Sequence, residues 1–352
     1  MIKFNEGRDQ LFVSAGMSAA YDSNIFANSS NEEDIVTNFF LGIDYTRRAG
    51  MIGVDGSLSW DLGSFASNAS EDFSNPSLNL EFTKNNGRTT GSLKLNASRE
   101  SQADPNVNLR TDAWNYGADL SWKYPVIERY SLAGTFGYGL IDYVDNSAGL
   151  IDLSTYSAGL DLNYAYDSKR QIIAGYRIRQ SETSSGNSST DHSLTAGISG
   201  KIFAKITGSI RAGYQIRKDS ATGETFGSMT ASGDATWTVT KRLKITGSIS
   251  KDFATTAIES GSDSLTFNLD AQYTLTSKWS VYSGLGLGHT DYISGPDINR
   301  EDYFATWNSG IGYNLNTHFS TSLSYSYFKN WSNRSTSEFD RHSITLSAST
   351  RW

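Results

Sequence analysis

From about residue 11 onward, apolar and polar residues alternate in segments of ten to fifteen residues, with turn-type residues between them. In the last segment Ile344, Leu346, Ala348, Thr350 and Trp352 share one face, and Ser343, Thr345, Ser347, Ser349 and Arg351 share the other. Farther back, Phe319, Thr321, Leu323, Tyr325 and Tyr327 oppose Ser320, Ser322, Ser324 and Ser326. Near the start, Ile52, Val54, Leu58, Trp60 and Leu62 oppose Asp55, Ser57, Ser59 and Asp61. A period of two sustained this long means a strand with one oily and one wet face. The same test predicts strands over 11–24, 35–47, 51–63, 74–84, 88–100, 111–123, 130–143, 154–166 and 170–182, continuing over 191–202, 205–218, 226–239, 242–254, 264–276, 279–291, 302–315, 318–330 and 340–352.

That makes eighteen. The connections fall into two classes by parity. After even-numbered segments they are mostly tight, as at Arg48-Ala49-Gly50, Asn85-Asn86-Gly87, Thr240-Lys241 and Asn316-Thr317. After odd-numbered segments they are longer and polar, as at Ser29-Ser30-Asn31-Glu32-Glu33 and Ser294-Gly295-Pro296-Asp297. Short turns on one side and longer loops on the other, with an even strand count, are what an outer-membrane barrel requires. The predicted fold class is therefore all-β, a transmembrane antiparallel up-and-down β-barrel spanning 11–352, in the bacterial outer membrane. Residues 1–10 precede it as a periplasmic N-terminal segment. A soluble sandwich would use strands nearer 5–6 residues long.

Composition sharpens this reading. Hydrophobic residues are 38% and mean hydropathy is -0.42, so nothing approaches the roughly 20 apolar residues of a spanning helix. Proline removes a ladder hydrogen bond, and there are only 4 among 352 residues. Pro76, Pro105, Pro125 and Pro296 are each expected in a connection or at a strand start. The absence of cysteine excludes disulfides and thiolate metal sites and suits an oxidising periplasm. A net charge of -7 gives nucleic acid no electrostatic footing. Met1 to Glu6 lack a basic segment followed by an apolar run, so the expectation is a mature chain whose leader has already been removed.

Aromatic residues cluster at two levels. Tyr45, Trp122, Tyr164, Trp237, Tyr273, Trp279 and Tyr313 fall near the turn ends on the oily face, and Trp60 falls toward the loop end. Interfacial girdles belong at those levels, against outer-membrane lipid and lipopolysaccharide.

Two short stretches carry resemblances. The C-terminus, with Ile344, Leu346, Ala348 and a final Trp352, resembles the terminal β-signal of outer-membrane proteins, although phenylalanine is the commoner last residue. The resemblance implies recognition by the outer-membrane assembly machinery. Tyr21-Asp22-Ser23-Asn24-Ile25-Phe26, ending the first strand, resembles the motif at that place in the putative β-barrel porin type 2 family. That resemblance implies an outer-membrane barrel associated with exopolysaccharide export, with a periplasmic polysaccharide export protein as a partner. The residues themselves place Asp22 and Asn24 toward the lumen at the external rim, where short polar side chains fasten the start of a loop.

No catalytic constellation emerges. His318 falls in a turn, and His192, His289 and His342 fall near the external strand ends. His342 and Ser343 adjoin, but neighbours on a strand point to opposite faces. Glu32-Glu33-Asp34 and Glu71-Asp72 read as solvated loop acids rather than metal ligands. No cofactor is expected and no enzyme.

Alternation also names the lumen wall: acids Asp44, Asp55, Glu81, Asp119, Asp161, Asp234 and Asp270, and bases Lys94, Arg177, Arg179, Arg211 and Lys244, set among Ser, Thr, Asn and Gly. Both signs occur on neighbouring strands and can pair across the wall. Eighteen strands enclose an aqueous channel, and loops this short predict a wide hole. The readings open at this point are an exopolysaccharide exit pore, a general diffusion porin for small polar solutes, and a closed docking barrel.

Overall fold

The structure, a computed structural model, describes residues 2–4, 8–48, 50–144, 149–220 and 222–352. A short strand, β1 (Ile2–Phe4), precedes β2 (Asp9–Asp22), β3 (Asp34–Arg47), β4 (Gly53–Phe65), β5 (Phe73–Lys84), β6 (Thr90–Asp104) and β7 (Leu109–Ile127). There follow β8 (Tyr130–Tyr143), β9 (Leu153–Ala165), β10 (Arg170–Thr183), β11 (Ser188–Phe203), β12 (Ile206–Asp219) and β13 (Thr225–Thr238). The last are β14 (Leu243–Thr255), β15 (Gly261–Thr274), β16 (Trp279–Ser294), β17 (Glu301–Asn314), β18 (Phe319–Ser332) and β19 (Phe339–Arg351). From β2 to β19 each strand pairs antiparallel with the next, and β19 pairs with β2, so eighteen strands close on themselves. The bounds follow the alternation to within four residues, because the pattern that defines each strand is also what its two faces need.

Those faces meet different surroundings. Tyr176, Leu194, Tyr214 and Met229 lie side by side across four strands on the outer face, all exposed. Leu285 and Leu287 on β16 and Leu346 on β19 likewise point outward and lie bare. An apolar belt running around the molecule far exceeds the few hundred Å² that a water-facing surface tolerates. Hydrocarbon is its natural solvent. Trp279 and Tyr313 pack at 4.5 Å between ring centroids, and Tyr130 and Tyr164 at 5.0 Å, at the turn end of this belt.

The strand Ile2–Phe4 pairs with the first residues of β2, from Ile2 opposite Leu11 to Phe4 opposite Asp9. The β19–β2 ladder begins only at Arg351 opposite Ser14. β1 thus takes up the edge of β2 below the end of β19, and Phe4 stacks on Tyr45.

The ring of ladders is incomplete at two seams. β5 pairs with β4 from Phe73 onward but with β6 only from Ser77, opposite Ser98. β13 pairs with β12 over 225–237, but with β14 only from Ala231, opposite Lys251. Beyond each seam the outer end of a hairpin, β6–β7 or β14–β15, leaves the wall and leans over the lumen. At the second seam a side chain replaces the backbone ladder: Thr230 Oγ1 donates to the Lys251 carbonyl at 2.9 Å.

Two prolines correct the sequence expectation, since Pro76 and Pro125 lie inside strands. Pro76 occupies the stretch of β5 that has no β6 partner, where a missing N–H breaks no ladder bond. Pro125 sits at a bulge, where the register against β8 slips between Pro125 and Ile127. Asn24, expected within the first strand, instead lies just beyond it.

Hydrophobic cores are small and sit in the loop layer. Ala113, Tyr143, Leu150 and Ala257 form one cluster, against which Val107 from the β6–β7 tip and Ile258 from the β14–β15 tip both pack. The two leaning hairpins therefore meet. Ile25, Val36 and Phe65 form another cluster beneath the β2–β3 connection.

Candidate functional site

The channel interior has two parts, a polar wall and the loop layer above it. At the layer's centre is Arg300, in the connection before β17 and 3% exposed. Its Nη1 donates to the Asn106 carbonyl at 2.7 Å and its Nη2 to the Pro105 carbonyl at 3.0 Å, both at the tip of the β6–β7 hairpin. Asp302 at 2.6 Å and Asp297 at 3.1 Å balance the charge, and Tyr292 offers its ring face at 4.7 Å. Burial opposes the guanidinium charge, but Asp302, Tyr292 and Asp297 outweigh it, so the pKa of Arg300 lies above its ordinary value. The same tip bonds two further connections: Asn108 Nδ2 donates to the Ala27 carbonyl at 3.1 Å, and Ser337 Oγ donates to Asn108 Oδ1 at 2.5 Å.

The β14–β15 hairpin is held by a second arginine group. Arg217 is 1% exposed and forms a bidentate pair with Asp191, at 2.6 and 2.9 Å. It also donates to the Ala254 carbonyl at 2.6 Å. Arg179 bridges Asp191 at 2.6 Å and Asp252 at 3.1 Å, and donates to the Phe253 carbonyl. Arg177 pairs with Asp252 at 2.8 Å. Side chains of β10, β11 and β12 thus grip a hairpin whose first strand lies several places farther round the ring. Charge-assisted, bidentate bonds of this kind are the strong ones. At the tip, Ile151 N donates to the Ala257 carbonyl at 2.8 Å, and Glu259 accepts from Thr183 and Ser185.

Beneath the layer, eight of the twelve wall residues expected from alternation line two recesses. Asp44, Asp55, Glu81, Lys94 and Asp119, with Arg351, line one of about 510 Å³ on β3–β7. There Asp44 pairs with Arg351 at 2.9 Å and Asp55 with Arg48 at 2.6 Å, while Glu81 and Lys94 stand 3.8 Å apart. Asp161, Arg177 and Arg211 line another of about 340 Å³, where Arg211 pairs with Asp161 at 2.8 Å. Arg179 belongs instead to the hairpin clasp above. Asp234 accepts from Ser209 at 2.7 Å on the wall. Lys244 and Asp270 are exposed wall residues outside both recesses. Gly284 stands opposite Asp270, and a Cβ there would come within 2.3 Å of its carboxylate, so the glycine clears room for a neighbouring side chain.

Asp22 and Asn24 fasten the first loop. Asp22 accepts from the Asn24 backbone at 3.0 Å and forms a bidentate pair with Arg341, with Nε at 2.9 Å from one carboxylate oxygen and Nη2 at 2.5 Å from the other. Asn24 is wholly buried, its Nδ2 donating to the Asn28 and Asp340 carbonyls and to Asn31 Oδ1. Loop acids act likewise: Asp34 accepts from Ser67 and Asn68, Glu71 pairs with Arg110, and Asp297 pairs with Arg300 and Arg334. They fasten loops more than they charge a mouth.

Ile344, Leu346 and Ala348 lie on the face of β19 that meets Tyr325, Leu323 and Thr321, and Trp352 stacks on His318 at 4.1 Å. His342 meets Tyr325 through Nδ1 at 2.8 Å, with Asp340 3.5 Å from Nε2. His192 meets Tyr176 at 2.6 Å.

Asp191, Arg217 and Asp252 face inward by alternation but are not among the expected wall residues; their own periodicity could have found them. Arg300 lies in a connection, where alternation says nothing.

A closed eighteen-strand barrel with an apolar outer belt, aromatic girdles and a polar lumen defines the class as an outer-membrane porin-type β-barrel. Solved structures share the fold. OccK9 (OpdG) of Pseudomonas aeruginosa matches with a TM-score of 0.55 and 13% identity over 100% of both chains. OpdK of the same organism, solved with vanillate, matches at 0.53 and 12% identity, over 97% of this chain and 99% of that one. OccK2 (OpdF) in complex with glucuronate matches at 0.53 and 10% identity, over 99% of this chain and 100% of that one. Residues 181–351 match the family model described as "Putative beta-barrel porin 2", the family that the Tyr21–Phe26 motif resembles. No curated protein matches.

Proposed function

We propose that this chain is a passive channel of the Gram-negative outer membrane for small polar solutes. The observation that carries this reading is the meeting of the β6–β7 and β14–β15 hairpins over the lumen. A mouth crossed by two hairpins favours small molecules over large ones, above a wall of hydroxyl, amide and paired charged groups. Vanillate and glucuronate, the molecules named with OpdK and OccK2, are small and polar too. Planar-bilayer recording tests the reading: stable steps of current with purified protein support it, and a silent bilayer favours a docking barrel.

A second reading is an exit pore for an exopolysaccharide, working with a periplasmic export protein. In its favour, each hairpin is free of its neighbour along one seam and so has an edge about which to swing outward. Deletion separates the two readings. Lost surface polysaccharide with unchanged solute uptake supports export, and the reverse supports the solute channel.

A further inference from the structure

On the outer face at the external end of β16 and β17, three potential ligands converge. His289, Asp291 and Glu301 each offer one atom, and these atoms lie within 4.8 Å of one another. We propose that these residues bind a divalent transition-metal ion of the zinc class. The register puts them there: Asp291 stands directly opposite Glu301, and His289, two residues back on the same face, stands opposite Tyr303.

Two features of the group call for a cation. Like charges directly opposite across a ladder are destabilising, yet among the described residues neither Asp291 nor Glu301 has an ion-pair partner besides His289. Moreover, His289 Nε2 stands 3.3 Å from Asp291 Oδ1 without hydrogen-bonding geometry, covered from solvent and with no bonding partner. Its ring is held by stacking on Tyr303 at 4.3 Å rather than by a hydrogen bond. A covered imidazole nitrogen beside two uncompensated carboxylates is a ligand set in need of a central charge.

The donor types choose the ion. Ligand bonds of about 2.0–2.2 Å separate ligand atoms by about 3–4 Å, so modest side-chain rotation closes the group on zinc. An imidazole donor suits zinc, copper or nickel, whereas calcium and magnesium prefer oxygen alone. Three protein ligands leave a fourth position open to water or an external oxygen anion. Copper and nickel share the site chemistry and serve as competitors in the test.

Titration calorimetry of zinc chloride into the refolded full-length chain in detergent, in a non-chelating buffer, tests the proposal. One ion per chain is expected, with affinity falling at least tenfold in His289→Ala and in Glu301→Gln. His342→Ala and His192→Ala should bind as the parent does. Cobalt in place of zinc should give a visible absorption band that His289→Ala removes. Folding of each variant is checked by its heat-dependent gel mobility. No saturable binding, binding unchanged in both site variants, or binding lost only in His342→Ala overturns the proposal.

Discussion

Arg300 and Asn106 belong to connections nearly half way round the ring from each other, yet the guanidinium Nη1 donates to the Asn106 carbonyl oxygen at 2.7 Å. One side chain thereby ties the β16–β17 connection to a hairpin from the far wall. Because Arg300 is buried, Arg300→Ala leaves the Asp302 carboxylate without its cation and Asp297 with Arg334 alone. Breaking a buried pair in this way costs about 3–5 kcal/mol. The expected outcome is a freed β6–β7 tip and larger single-channel conductance, with the barrel still folded. Unchanged conductance in planar bilayers would count against a mouth divided by this hairpin.

The clasp on the β14–β15 hairpin should respond separately. In Arg217→Ala, Asp191 keeps Arg179 but loses its bidentate partner, and the Ala254 carbonyl loses a donor. Faster hydrogen exchange in 252–260 is expected, with exchange along the ladders of β2–β4 unaltered. Protection maintained across the hairpin would show that Arg179 alone suffices.

Inward and outward positions on one strand should differ sharply in their tolerance of charge. Leu287→Lys places an ammonium on the outer belt midway along β16, where such a change costs about 2–4 kcal/mol. Asn268→Lys, on the inner face of neighbouring β15, should cost much less. Urea unfolding in lipid vesicles measures both, and equal costs would contradict the assignment of faces.

The β3–β7 recess should set ion preference. Replacing Glu81 and Asp119 together by lysine removes two acids from a wall that holds Asp44, Asp55 and Lys94. Reversal potentials under a salt gradient should shift toward anions. A potential that stays put would mean that solutes pass by another route.

Trp352→Ala should lower the yield of folded barrel in cells while leaving refolding into detergent nearly intact, apart from the lost stack on His318. Equal losses in both settings would assign Trp352 a packing role only.

Much of this architecture was legible in the chain. Strict alternation such as Ile344-Thr345-Leu346-Ser347-Ala348 reports both strand and face, because each residue meets one solvent or the other and has no third choice. The seams were not legible. Alternation ends the strand at 100, whereas β6 runs on to Asp104 paired with β7 alone, so the departure of the hairpin is a tertiary event. Pro76 was the one local trace of it, and it reads equally well as a strand start. Partnerships such as Arg177 with Asp252 join positions 75 apart and several strands away, which two-residue periodicity cannot register. The convergence of His289 and Asp291 on Glu301 likewise depends on register across a connection rather than on spacing along a strand.

The pairing of β19 with β2 sets Arg351 against Ser14 and Ile344 against Tyr21, partners drawn from the last and first strands of the wall. Every other wall junction joins strands consecutive in the chain, each of which a single connection brings together. This one joins strands that the whole barrel separates, so a partly assembled sheet carries two bare edges until the circle is complete, an invitation to wrong partners. Successful biogenesis therefore rests on whatever shelters those edges until the last strand meets the first.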